Sequence, residues 1–143
     1  MTAPQRTRPE PDALTRPFWE SASRQELAVQ RCEACRTYQH PPAARCHHCG
    51  SAEAGFTRVS GRARLHSWTV VRQPLAPGFA DAVPYLNLLV ELDEQAGLLM
   101  LCDTVSRPIH EDSLRVGTRM QVWFEEIAPG VILPQFAPEG EAK

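Results

Sequence analysis

The chain has 143 residues, with 15 basic against 17 acidic side chains and a formal net charge of −2. That length fits one domain of ordinary size, or two small ones sharing an interface. The near-balanced charge excludes a whole-protein basic footprint for nucleic acid, and no apolar run approaches the roughly 18–20 residues that cross a bilayer.

Hydrophobic residues make up 43% of the chain, which places it in the globular class. The 13 prolines interrupt helices and central strands, so many short segments are expected. The N-terminal stretch MTAPQRTRPEPDA lacks the apolar segment of a secretory signal. The expectation is a cytoplasmic protein with no membrane contact.

Residues 1–13 are polar and carry Pro4, Pro9 and Pro11, the composition of a disordered tail. The segment 14–28 follows. Thr15 can cap a helix, and Pro17 sits in a first turn, where its missing N–H does no harm. Leu14, Phe18, Trp19 and Ala22 recur at helical spacing and predict a short helix over about residues 16–26. Leu27–Arg31 reads as a brief strand leading into a cysteine module over 29–55.

Residues 56–136 are strand-like. Gly61–Arg72 carries Leu65, Trp68, Val70 and Val71, and Pro74, Pro77, Gly78 and Pro84 then mark a long loop. The apolar runs Tyr85–Leu92 and Leu98–Cys102 flank a turn-like Asp93–Gly97 and predict a hairpin. Ser106–Gly117 is polar, with one helical turn at most. Arg119–Ile127 and Val131–Phe136 flank Pro129-Gly130 as a second hairpin, and 137–143 reads as a loose tail. The fold class is therefore mainly β, with about five strands after the cysteines. Such strands remove most of their edges by closing into a five-stranded barrel of the OB type, with a small sandwich as the alternative.

The cysteine pattern is Cys32-x2-Cys35-x10-Cys46-x2-Cys49, with Cys102 alone. Two residues between cysteines let both thiolates face one centre, and two such knuckles supply the corners of a tetrahedron. Zn²⁺ accepts that geometry without cost from its d electrons, and iron is the less favoured occupant. A closed four-sulfur shell leaves no open coordination position, so the expected role is structural. His40, His47 and His48 are nearby substitutes for a sulfur, but four cysteines already fill the shell.

No G-x-S-x-G, H-E-x-x-H, phosphate-binding loop or dinucleotide fingerprint is present. Cys102 lies in the run Leu98–Cys102 and reads as a small core hydrophobe, not as a nucleophile served by His66 or His110. Asp93 with Glu94, and Glu125 with Glu126, are neighbours that face opposite ways in a strand, so neither pair converges, and turn or surface solvation is expected. Trp68, Tyr85, Trp123 and Phe124 suit a barrel core and rim. Phe18 and Trp19 need a surface to cover, either their own barrel or a partner chain.

Taken in order, the motifs are Phe18-Trp19-Glu20, Gln30-Arg31-Cys32-x2-Cys35, His40-Pro41-Pro42 and Cys46-x2-Cys49-Gly50-Ser51. After them come Val59-Ser60-Gly61-Arg62, Ser67-Trp68-Thr69-Val70-Val71, Pro77-Gly78-Phe79, Pro84-Tyr85, Val90-Glu91-Leu92-Asp93 and Leu114-Arg115-Val116-Gly117. Over about residues 16–136 the chain resembles the zinc-ribbon OB-fold family associated with acyl-CoA enzymes, long catalogued as a domain of unknown function. The resemblance implies an N-terminal helix, a rubredoxin-like zinc ribbon and a C-terminal OB barrel. It also implies a non-catalytic subunit beside a thiolase-like enzyme (thiolase, synthase or aldolase) or a MaoC-like hydratase, in lipid, steroid or polyketide-type metabolism.

On that resemblance the ribbon and helix would dock on the partner, and the loop Gln73–Pro84 would line an acyl-CoA or pantetheine passage. Phe79 and Tyr85 would then face pantetheine, and Arg58, Arg62, Arg64 and Arg72 are candidates for CoA phosphates, which suit charge-assisted bonds. Two other readings stay open. The interleaving of Arg58, Arg62, Arg64, Trp68 and Arg72 would suit a nucleic-acid-binding module, although net acidity counts against it. A self-contained acyl-CoA enzyme using Cys102 is the third.

Overall fold

The computed structural model describes residues 6–74 and 76–141. The expected terminal tails therefore fall outside the described residues over 1–5 and 142–143.

One helix, α1 (Arg16–Ser23), opens the fold. It ends three residues before the predicted end, where Gln25 takes a positive φ of 58° and turns the chain. Thr15 occupies the N-cap but its side chain does not cap. Its hydroxyl instead donates to the Asp12 carboxylate at 3.0 Å, and that carboxylate also accepts the Thr15 N–H at 2.8 Å. The helix buries Phe18, Ser21 and Ala22.

Three strands form the first sheet: β1 (Ala28–Cys32), β2 (Tyr38–Gln39) and β3 (Ala54–Arg58). β1 lies in the middle, antiparallel to both. β3 straddles the boundary expected at 55/56 between the cysteine module and the barrel, and it is hydrogen-bonded to the module's sheet. Its whole length pairs with β1, from Ala28↔Arg58 to Cys32↔Ala54.

Five strands form the second sheet: β4 (Arg62–Val71), β5 (Tyr85–Leu92), β6 (Leu99–Asp103), β7 (Arg119–Ala128) and β8 (Val131–Pro138). Their order is β6-β5-β4-β7-β8, all neighbours antiparallel. This is a partly open five-stranded OB barrel in which β4 serves both halves. A bulge between Leu65 and Ser67 bends β4 so that it can do so. Both predicted hairpins form, β5–β6 and β7–β8, and a single 3₁₀ turn, Glu111–Ser113, lies in the polar connection.

Neither terminal stretch is wholly loose where it is described. Arg6 reaches the barrel and forms an ion pair with Glu125 at 2.6 Å. At the other end β8 runs on to Pro138, and the Glu139 N–H donates to the Arg119 carbonyl at 2.9 Å.

β5 shows strict alternation, with Leu86, Leu88, Val90 and Leu92 all pointing inward. They join Leu65, Met100, Leu114, Met120 and Phe136 in one apolar cluster that also takes in Phe18, Leu27 and Val29. Helix, ribbon and barrel thus share a core. The β5–β6 turn clamps the ribbon from outside: the Gln95 amide accepts the Tyr38 N–H at 2.8 Å and donates to the Tyr38 carbonyl at 2.9 Å. Glu94 accepts the Ser60 N–H at 2.9 Å at the junction between sheets.

Candidate metal centre and flanking grooves

The two cysteine knuckles are copies of one turn. In the first, the Cys32 N–H donates to the Thr37 carbonyl and the Arg36 N–H to the Cys32 carbonyl, each at 2.9 Å. In the second, the Cys46 N–H donates to the Ser51 carbonyl and the Gly50 N–H to the Cys46 carbonyl, again at 2.9 Å. The fourth residue after the first cysteine has positive φ in both, 67° at Arg36 and 80° at Gly50. Within the knuckles the Cys35 N–H points at the Cys32 sulfur at 3.5 Å, and the His48 N–H at the Cys46 sulfur at 3.3 Å.

All four sulfurs lie within 4.8 Å of one another, and the Cys32–Cys49 and Cys35–Cys46 pairs stand 3.6 Å apart. A tetrahedron with 2.3 Å metal–sulfur bonds has edges of about 3.8 Å. The sulfurs are too far apart for disulfides and are spaced to hold a metal ion. Cys32 and Cys46 are buried, Cys35 is half-buried and Cys49 exposed.

The electrostatics point the same way. The Thr37 hydroxyl and backbone N–H hold the Cys35 thiol down to about 5. At Cys49 the Ser51 N–H pulls downward, but the neighbouring sulfurs and burial outweigh it and push the thiol up to about 11. Four anions in this space need a cation at the centre. Among the described residues no histidine joins the four-cysteine set; the His40 ring packs on Phe18 with centroids 5.3 Å apart, and burial lowers its pKa.

Gln30, two residues before the first ligand, positions the second knuckle. It is 4% exposed. Its amide donates to the Ala43 carbonyl at 2.8 Å and accepts the Ala43 N–H at 2.9 Å. Gln39 donates to Gln30 at 2.7 Å and accepts the His47 N–H at 3.0 Å. The two amides staple the proline-containing loop between the knuckles to the sheet.

Phe18 is buried in the chain's own core, so of its two candidate roles it packs inside. Trp19 meets it edge-on at 4.9 Å and flanks an apolar groove of about 320 Å³ between helix, ribbon and barrel. Pro41, Pro42, Leu101 and Leu133 line the same groove. Leu101, 64% exposed on edge strand β6, is a large apolar side chain left to solvent there.

The candidate phosphate-binding arginines do not converge. Arg58 pairs with Glu26 at 3.6 Å, and Arg62 with Glu139 at 3.6 Å. Arg64 stands exposed in a shallow groove with Glu91 and Asp93. Arg72 lies past the opposite end of β4, about 26 Å of strand from Arg64 at roughly 3.3 Å per residue. There it lines a second groove of about 280 Å³ with Tyr85, Thr104 and Ile109. Phe79 stacks on Tyr85 with centroids 5.5 Å apart. The structure thus brings Arg72, Phe79 and Tyr85 to one barrel end.

Cys102 is buried, and burial pushes its thiol up to about 12, as suits a core residue and not a nucleophile. Trp68 donates to Glu111 at 3.2 Å. Glu125 departs from expectation. It is 8% exposed, not solvated, and accepts bonds from Gln135, Ser106 and Arg6. Its neighbour Glu126 does face solvent. The inward turn of Glu125 is met by polar groups distant in sequence, which local pattern cannot reveal.

No helix among the described residues is long and apolar enough to cross a membrane. Residues 19–53 match the family model for the ChsH2 rubredoxin-like zinc ribbon domain, and residues 56–125 the model for the ChsH2 C-terminal OB-fold domain. A solved structure described as an Ltp2-ChsH2(DUF35) aldolase contains a similar chain, at 32% identity and a TM-score of 0.76, covering 92% of this chain and 98% of that one. A Thermomonospora curvata protein named probable enoyl-CoA hydratase alpha subunit is 36% identical over 138 residues, 94% of this chain. This chain spans only 41% of that relative's length. A DUF35 domain-containing scaffold protein of Methanothermobacter thermautotrophicus is 28% identical over 110 residues, 73% of this chain and 75% of its own. With both domain models matched in order over most of its length, the chain belongs to the ChsH2-type DUF35 family, a rubredoxin-like zinc ribbon followed by an OB-fold domain.

Proposed function

We propose that the chain is a non-catalytic accessory subunit that binds a thiolase-fold enzyme and helps to form its acyl-CoA site. The observation that carries this reading is the likeness, over nearly its whole length, to the DUF35 chain of a solved aldolase. The site chemistry supports it. The cysteine centre is a closed four-sulfur set, which suits a structural Zn²⁺ better than a reacting one. The fifth thiol is buried and protonated. A centre of four cysteines held as metal-bound thiolates, not as disulfides, also suits the reducing cytoplasm.

In this reading Trp19 and the apolar groove beside it meet the partner, and Arg72, Phe79 and Tyr85 border the acyl-CoA passage. Arg58, Arg62 and Arg64 are weaker candidates, since carboxylates of the same chain pair with or crowd them. The same pairing, with Trp68 bonded to Glu111, weighs against a nucleic-acid-binding module. A MaoC-like hydratase partner is the second reading, favoured by the hydratase name of the Thermomonospora curvata relative.

The test is capture of the tagged chain from its native host at moderate salt, with mass spectrometry of what accompanies it. A stoichiometric thiolase-fold subunit is expected. A hydratase would establish the second reading, and capture of nuclease-sensitive nucleic acid without any acyl-CoA enzyme would overturn both.

A further inference from the structure

The barrel is open between β6 and β8, which stand at the two ends of the sheet order. Side chains close that seam. Gln135 on β8 is 2% exposed. Its amide accepts the Asp103 N–H at 3.0 Å and donates to Glu125 at 2.9 Å and to Asp103 at 3.4 Å. Ser106 donates to Glu125. Over this network lies Arg6, with its guanidinium 2.6 Å from Glu125 and 3.5 Å from Asp103.

The same guanidinium also lies over the long loop, 5.8 Å from the centre of the Phe79 ring, and Phe79 stacks on Tyr85. The Arg6 side chain is only 12% exposed. Holding a long, flexible side chain in one place costs rotamer freedom. Charge-assisted bonds to a buried carboxylate and a contact with a ring face offset that cost. The segment is fastened at its far end too, through the bonds between Asp12 and Thr15 at the start of α1.

We propose that residues 6–12 are a strap, and that Arg6 is a positioning residue that holds the 76–84 loop down over the barrel end. Ala82, Pro84 and Tyr85 wall the 280 Å³ groove that Arg72 and Thr104 also line. Release of Arg6 from Glu125 and Phe79 frees that wall, so the strap sets the width of the groove. This holds whatever enters the groove and whichever enzyme the chain serves.

Hydrogen exchange of the full chain, read by mass spectrometry, tests the strap. Compared are the native protein, Arg6→Ala, Phe79→Leu and the double variant. The marker is the loop around the Ala82 N–H, which donates to the Phe79 carbonyl at 3.0 Å. Arg6→Ala is expected to speed exchange over 76–84 at least about tenfold, with the β4–β5 ladder and the ribbon unchanged. Phe79→Leu leaves the Arg6–Glu125 pair in place and is expected to free the loop to a similar degree. Phe79→Leu also removes the stack on Tyr85, but Arg6→Ala adds nothing in the Phe79→Leu background, where its link to the loop is already cut. Unchanged loop exchange in Arg6→Ala with the ladders intact overturns the proposal, as do additive effects in the double variant. Should Arg6→Ala loosen the whole barrel, Phe79→Leu decides, and an undisturbed loop in that variant also overturns it.

Discussion

Glu125 stays ionised inside the barrel because protein groups replace its water. Burial alone pushes its carboxyl up, but bonds from Arg6, Ser106 and Gln135 outweigh burial and hold it below the ordinary 4.5. The direction fixes the pH dependence. The unfolded chain takes up the proton more readily than the folded one, so the stabilisation is complete above about pH 4.5 and is lost as pH falls through the depressed folded value. Glu125→Gln keeps the size and much of the hydrogen bonding, yet leaves the Arg6 guanidinium without its anion. Loss of a charge-assisted bond predicts a cost on the order of 1.5–3 kcal/mol at pH 7. It also predicts a shallower loss of stability as pH falls below about 4.5. Urea midpoints across pH 3–7 check both, and a variant as acid-sensitive as the native protein would contradict the assignment. Nothing in the sequence announces this residue, since Arg6 and Asp103, joined at one end of the network, are 97 positions apart.

At the scale of elements, two glycines with the same backbone separate conformational strain from close packing. Gly50, in the second knuckle, and Gly61, between β3 and β4, both have φ of 80°. A Cβ at Gly50 would meet nothing within 4 Å, whereas one at Gly61 would run into the Val122 side chain. Gly50→Ala should therefore cost only the left-handed backbone penalty, about 1–2 kcal/mol. Gly61→Ala should cost that plus an overpacking term of about 1–3 kcal/mol. Val122→Ala in the Gly61→Ala background should recover much of the excess, and thermal melts of the four proteins decide it. Both hairpins are legible in the sequence because Tyr85–Leu92 and Leu98–Cys102 are apolar runs and because Asp93–Gly97 and Pro129-Gly130 punctuate the strand-like segments. The metal centre is legible because its spacing is local. β3 is not, since Ala54–Arg58 has no alternation that says which sheet it joins. It is the register with β1, set by the knuckles, that claims it. The scatter of the arginines is hidden for a related reason: β4 is long and bulged, so residues close in sequence end far apart on the barrel.

At the scale of the whole molecule, ribbon and barrel are joined but not equally self-sufficient. The barrel has its own ladders and most of the apolar cluster. The ribbon contributes Leu27 and Val29 to that cluster, with Tyr38 and Phe56 packed against it, and beyond them it relies on four sulfurs and the Gln30–Gln39 staple. A module of this kind depends on its metal, worth on the order of 10 kcal/mol in comparable sites. The purified chain should accordingly carry about one zinc ion, read by elemental analysis. Stripping the metal with a strong chelator should release the ribbon first. The Cys32, Arg36 and Glu33 N–H groups, all bonded within it, should lose protection from hydrogen exchange while the β5 ladder keeps most of its own. The damage then passes outward along known contacts. Tyr38 is held by Gln95, and His40 packs on Phe18, so loss of the ribbon loosens α1 and the apolar groove beside Trp19. Partner capture should fall with metal content and return when zinc is restored, although the barrel that would border the acyl-CoA site stays folded throughout. Simultaneous loss of protection in ribbon and barrel would show instead that the shared core around Phe18, Leu27 and Val29 makes them one cooperative unit, with the metal as the keystone of both.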